Sequence, residues 1–174
     1  MFRKILVPLD HTPLSDQVFE HALNLAKATN ATLMLLHVFS PEDDEAIPLN
    51  SALSYPELRE EVVHRYLQHR TQFEEESLKT LQALTKQANE SGVVAEFTQT
   101  AGSPEQRICA LARTWNADLI VLGRRGRTGL NELILGSVSN YVVHHAPCSV
   151  LTVQHVNLPA AEPTTQQTTV GVTI

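Results

Sequence analysis

The sequence predicts an α/β domain built on an open five-stranded parallel sheet with helices on both faces. Five short runs rich in Val, Leu and Ile punctuate the chain, and helical patterns lie between them. Several of the runs are apolar almost throughout, as in KILVPL, ATLMLLHV and DLIVLG. Alternation of polar and apolar residues marks a strand wetted on one face, whereas a continuous apolar run marks one buried on two. Strands and helices that take turns along a chain imply crossover connections between parallel strands.

The first run, Lys4 to Leu9, is closed by Asp10. A helix follows from Ser15 to Thr29, where Val18, Ala22, Leu25 and Ala26 share one face. The second run is Ala31 to Val38. Beyond it Phe39 to Tyr55 is polar, contains Pro41 and Pro48, and is placed to act as a lid. The helical pattern from Pro56 to Ser91 is 36 residues long. A straight helix of that length spans about 54 Å, beyond the ~30 Å width of a small domain, so the pattern predicts a break or a protrusion. The weakly apolar segment Gln68 to Gln72 is the expected break, and Gly92 is the expected stop.

The third run is Val93 to Gln99. Ser103 and Pro104 then supply a cap and a first-turn proline for a helix reaching Trp115, with Ile108, Leu111, Ala112 and Trp115 on one side. The fourth run is Asp118 to Gly123. A shorter helix begins after Gly136 and is ended by Pro147, and the fifth run is Ser149 to Val153.

Composition narrows the functional classes. A chain of 174 residues with 43% apolar content supports one core. That core is expected over residues 1–154. Residues 155–174, rich in Pro, Thr and Gln, read as a flexible C-terminal tail. The net charge of −6 argues against a general nucleic-acid binder, because neutralising phosphates takes a clustered excess of Lys and Arg. Only Arg124, Arg125 and Arg127 bunch. Two cysteines cannot form a disulfide framework and fit a reducing compartment. With no basic–apolar leader and no apolar run of membrane-spanning length, the expectation is a cytoplasmic protein without a membrane role.

The stretch Gly123 to Ser139, GRRGRTGLNELILGSVS, follows directly on an apolar strand. It has the form G-x2-G-x9-G-[ST], with Gly123, Gly126, Gly136 and Ser137 at the fixed positions. Glycines permit positive φ and close approach of the backbone to an anion, and a helix start offers unpaired N–H groups and a partial positive charge. The pattern is neither a P-loop nor G-x-G-x-x-G.

With that motif the chain resembles the ATP-binding branch of the universal stress protein family, whose fold is of the Rossmann-like type. The strand ending Val7-Pro8-Leu9-Asp10, the valine at position 38, and Ala101-Gly102-Ser103-Pro104 before the third helix strengthen the likeness, which extends from Met1 to about Gln154. The resemblance implies that Pro8, Leu9 and Asp10 line the adenine and ribose side of a bound ATP and that Val38 meets the adenine. On the phosphate side it implies Gly123, Arg125, Gly126, Gly136, Ser137, Val138 and Ser139. It also implies a homodimer formed through Ser149 to Val153.

The physical reading of these residues is compatible, since they fall at strand ends or in the loops that follow, where open α/β sheets bind ligands. Asp10 has two roles open to it: accepting from a ribose hydroxyl or holding hydrated Mg²⁺, and capping the helix that begins near Pro13. His64 and His69 are five apart and His144 and His145 are adjacent, spacings that do not place two ligands on one helix face, so no protein-built metal site is expected. Binding ranks above turnover because only His11 and Asp10 are candidate bases. The alternatives are a slow ATPase at the same site and a dimeric scaffold that binds no nucleotide. An aspartate phospho-receiver is disfavoured, since the third run ends in Gln-Thr and not in an acidic residue.

Overall fold

The computed structural model describes residues 1–40, 59–124 and 136–154. Its elements are β1 (Lys4–Pro8), α1 (Leu14–Thr29), β2 (Thr32–Phe39), α2 (Arg59–Glu90), β3 (Ala95–Ala101), α3 (Pro104–Trp115), β4 (Leu119–Arg124), α4 (Ser137–His145) and β5 (Ser149–Gln154). The strands form one parallel sheet in the order β3-β2-β1-β4-β5, the class predicted above. Residues 41–55 of the segment expected as a lid, Arg125, Gly126 and Arg127, and the expected tail 155–174 lie outside the described residues.

Because successive residues of a strand face opposite ways, the apolar runs feed two cores. Ile5, Val7, Leu33, Leu35, Leu119 and Val121 face α1 and α2, where Phe19, Ala22, Leu81 and Ala88 meet them. Leu6, Met34, Leu36, Val38, Ile120 and Leu122 face α3 and α4, against Ile108, Cys109, Ala112 and Val142. Burial pushes the Cys109 and Cys148 thiols above their ordinary value, so both stay protonated and pack as small apolar groups.

Three expectations need correction. The third strand runs two residues later than predicted, since Gly92 takes φ +83° and the Val93 amide closes onto the Ala88 carbonyl, which assigns Val93 to the turn. Polar residues then continue the strand, with Gln99, Thr100 and Ala101 in register with His37, Val38 and Phe39. Ser103 does occupy the N-cap of α3, but its side chain makes no capping hydrogen bond.

The long helix does not break. α2 is continuous for 32 residues, about 48 Å at 1.5 Å per residue. No Gly or Pro interrupts it. The region expected to fail is bridged by Arg70 to Glu74 at 2.9 Å and Gln72 to Glu76 at 3.0 Å, each one helical turn apart. Phe73 meets the rings at the C-terminal end of β2, so the turns preceding it extend past the edge of the sheet. Val63 and Leu67 on those turns are exposed.

At the opposite edge, Asp118 clips β4 to β1. Its Oδ2 accepts from the Arg3 and Lys4 amides at 2.8 and 2.9 Å, while its own N–H donates to the Lys4 carbonyl. The Arg3 amide, aided by the Lys4 amide, holds this carboxyl below its ordinary value of 3.8. A depressed folded value adds stability above the unfolded value, and that stability is lost as pH falls through the folded one. Asp118→Ala is therefore expected to cost about 1 kcal/mol at pH 7, discounted for solvent at this edge. The deficit should shrink towards zero as pH drops below about 4, measured by urea unfolding of both proteins across that range.

Candidate functional site

From β1 the chain builds outward through β2 and β3 with α1 and α2 on one face, then returns to add β4 and β5 with α3 and α4 on the other. The reversal falls between β1 and β4. Connections leaving these two strands diverge to opposite faces, which opens a crevice at their C-terminal ends. The pairing follows suit: β1 and β4 are in register at Ile5 with Leu119 and Leu6 with Ile120, whereas β4 and β5 remain paired out to Arg124 with Gln154.

Pro8 ends β1 and Leu9 and Asp10 follow it on one side of this parting, and Gly123 and Arg124 end β4 on the other. Leu9 turns its side chain into the core on the α1 face and donates its N–H to the Leu36 carbonyl at 2.9 Å. Val38 is likewise buried, on the α3 and α4 face, near the end of β2. Arg124 donates to the Gln154 side chain on β5.

Asp10 is braced. Its Oδ1 accepts from the Thr12 amide at 3.0 Å, from the Thr12 hydroxyl, and from the Ser15 hydroxyl at 2.8 Å. Ser15 Oγ also accepts from the Asp10 amide at 2.9 Å, so one hydroxyl ties the backbone and the carboxylate of the same residue. The carboxylate thus steadies the turn into α1, while the N-cap position itself falls on Pro13.

Positive φ, one of the roles expected of the motif glycines, is found at neither Gly123 nor Gly136. Gly123 belongs to β4, outside the left-handed region. A Cβ there would stand 2.8 Å from Leu14 Cδ2 and 3.3 Å from Val18 Cγ2, so the missing side chain lets α1 pack onto the strand end. Gly136 is the N-cap of α4 at φ −55°, with no side-chain cap. A Cβ at Gly136 would meet only Ser139 Oγ, at 3.6 Å. Ser137 is exposed and Val138 half-buried at this helix start, whereas Ser139 is buried and spends its hydroxyl proton on the Gly136 carbonyl at 3.0 Å. Ser139 can serve an anion through its amide, not through that proton. Arg125 and Gly126 lie outside the described residues.

Sequence reasoning missed Thr12 and Ser15, although a carboxylate followed by hydroxyls two and five residues on was a legible signal. It also missed a ring cluster at the same edge. His11 meets His37 at 4.9 Å and Phe73 at 4.4 Å between ring centroids, and His37 meets Phe39 at 4.7 Å. His11 Nε2 lies 2.7 Å from Ser77 Oγ, whose single proton goes to the Phe73 carbonyl, so the network assigns the proton of this contact to Nε2. Only tertiary contact joins α2 to the β1–α1 loop in this way.

A sequence profile of the universal stress protein family matches residues 1–154. The chain belongs to that family. Universal stress protein Sll1388 of Synechocystis sp. is 38% identical over 158 residues, covering 88% of this chain and 99% of the relative. Universal stress protein YxiE of Bacillus subtilis is 36% identical, covering 88% and 100%. Among solved structures, that of the protein MJ0577 superposes with a TM-score of 0.70 at 23% identity, covering 91% of this chain and 99% of the other. An Arabidopsis thaliana family member solved with AMP bound gives 0.57 at 21% identity, covering 91% and 97%. A universal stress protein in complex with cAMP gives 0.58 at 21%, covering 88% and 97%.

The close approach at Gly123 is directly testable. Gly123→Ala is expected to destabilise this universal stress protein by about 1–3 kcal/mol through overpacking against Leu14. In a Leu14→Ala background the same change should cost at least about 1 kcal/mol less. Denaturant unfolding of the four proteins completes the cycle.

Proposed function

We propose that this chain is an adenine-nucleotide-binding module of the ATP-binding branch, whose occupancy alters its conformation or its partners. The observation that carries the reading is the end of β1–β4 pairing at Leu6 and Ile120, with Asp10 following β1 and a helix whose N-cap is a glycine following β4 in the chain. The donor set suits an adenine nucleotide. The first-turn amides of α4 receive no side-chain cap and suit phosphate oxygens, and the braced carboxylate suits a ribose hydroxyl or hydrated Mg²⁺. AMP and cAMP in the two related structures support the adenine class. Pro8, Leu9, Asp10 and Val38 form the adenine and ribose side of the proposed site. Gly123, Arg125, Gly126, Gly136, Ser137, Val138 and Ser139 form its phosphate side.

Gly136→Asp separates binding from folding. A carboxylate at the N-cap supplies the cap that α4 lacks, so the nucleotide-free protein should gain a few tenths of a kcal/mol. The same negative charge opposes phosphate. ATP is expected to raise the wild-type melting temperature in a saturable way and to leave the variant unmoved. A wild-type chain that neither shifts with ATP nor co-purifies with an adenine nucleotide contradicts the reading.

The same reading includes a homodimer through β5, from Ser149 to Val153. Among the described residues this strand ends the sheet, with its outer ladder unpaired beside Leu151, which is 42% exposed. Val153 is buried and unsuitable as a probe. Leu151→Lys is expected to convert a dimer to a monomer by light scattering, with the circular dichroism spectrum unchanged.

A further inference from the structure

We propose that the protruding turns of α2 are a docking surface for the same turns of a second copy of this chain, packed antiparallel, in a contact separate from β5. The inference does not depend on the nucleotide reading. A helix face repeats its direction every 18 residues, about five turns of 3.6. Val63 stands 18 residues before Leu81, and Leu67 stands 18 before Thr85. Leu81 and Thr85 are buried, at 2% and 9% exposure. The face that α2 turns to the domain therefore continues past the sheet edge, where Val63 and Leu67 are 48% and 52% exposed. Single apolar residues scattered on a surface need no explanation, but these two prolong the buried stripe of their own helix.

Glu60, Val63, Leu67 and Arg70 follow one another at spacings of three, four and three, the a and d positions of a coiled-coil seam. An antiparallel pair sets each a position against a d position of the other helix. Val63 then meets Leu67 of the second copy, and Glu60 meets Arg70, each pair occurring twice about the two-fold axis. Both pairs share one centre, residue 65, which is the middle of 59–71. The overlap thus stays within the turns ahead of Phe73, where α2 meets the rings of β2. A parallel pair would set Glu60 against Glu60 and Arg70 against Arg70. Arg70 keeps its bond to Glu74 at 2.9 Å, since the pairing draws on its charge whatever else it touches. The surface is its own complement in both apolar spacing and charge order, which commits the occupant to a second copy. Two such short helices make a contact below about 1,200 Å², the weak and transient class, so it is read by trapping and not by light scattering.

Disulfide trapping of the full chain tests this. A Val63→Cys chain is mixed with a Leu67→Cys chain under mild oxidation, and linked pairs are told apart by intact mass, with the wild type giving the background from Cys109 and Cys148. Unlike pairs are expected in about tenfold excess over either like pair, where random collision gives about twofold. Glu60→Arg in the Val63→Cys chain should cut that excess at least about threefold, and Arg70→Glu in the Leu67→Cys chain should then restore it. A random ratio, or an excess of either chain linked to itself, overturns the proposal. So does an excess that Glu60→Arg leaves unchanged, or a loss that Arg70→Glu fails to restore with its helix intact. Arg70→Glu also removes the bond to Glu74. If it lowers the helical circular dichroism of its chain, salt replaces it as the judge of the charge pair: the excess should fall about threefold between about 0.05 and 0.5 M, and an indifferent excess overturns the proposal.

Discussion

β1 stands in the middle of a parallel sheet, and Ile5, Leu6 and Val7 are fully buried with helices on both faces. A chain that starts in the middle has to build one flank first and then return to build the other. With a constant crossover hand, the return moves its helices to the opposite face. The Asp118 clip joins β1 and β4 at their N-terminal ends. Divergence is therefore concentrated at the C-terminal ends, where Asp10 and Gly123 end up. The crevice is a consequence of sheet order, and loop chemistry only decorates it.

This dependence explains what the sequence made legible. Strands buried on two faces advertise themselves as unbroken apolar runs, so KILVP, TLMLLHVF and DLIVLG were readable with errors of a residue or two at their ends. β3 was less so, because it is an edge strand whose polar half is held by pairing with β2 and not by burial. Gly123 teaches the converse: its place in a glycine motif suggested an anion cradle, but the space its hydrogen leaves is filled by Leu14, over a hundred residues earlier in the chain. A contact of that separation has no local signature. Helix propensity, by contrast, is local, and its message in 59–90 was that nothing there stops a helix. Domain width left a break and a protrusion both open, and the unbroken helix with contacts beginning at Phe73 decides for the protrusion.

The exposed ion pairs of α2, Glu61 with Arg65 and Arg70 with Glu74, contribute only a few tenths of a kcal/mol each. They do not anchor the helix to the domain. Anchoring begins at Phe73 and Ser77, which reach the β1–α1 loop and the end of β2, and it deepens at Leu81 and Ala88 in the core. The turn that carries Asp10 is consequently held from two sides, by Ser15 of α1 acting on the carboxylate and by Ser77 of α2 acting through His11. On the proposed nucleotide reading, an acceptor fixed in this way need not be ordered by a ligand, so less of the binding free energy would go into organising the site.

The same bracing bears on whether the site holds a nucleotide or consumes one. A general base needs an acceptor free to take a proton from attacking water. Asp10 Oδ1 is already engaged by three donors, and His11 directs its Nε2 proton to Ser77. These were the two bases the sequence offered, and in each of them one polar atom is committed to holding orientation. On the proposed reading, both residues would hold a nucleotide in place, and occupancy, with its linked stabilisation of the folded chain, is the quantity the domain would report.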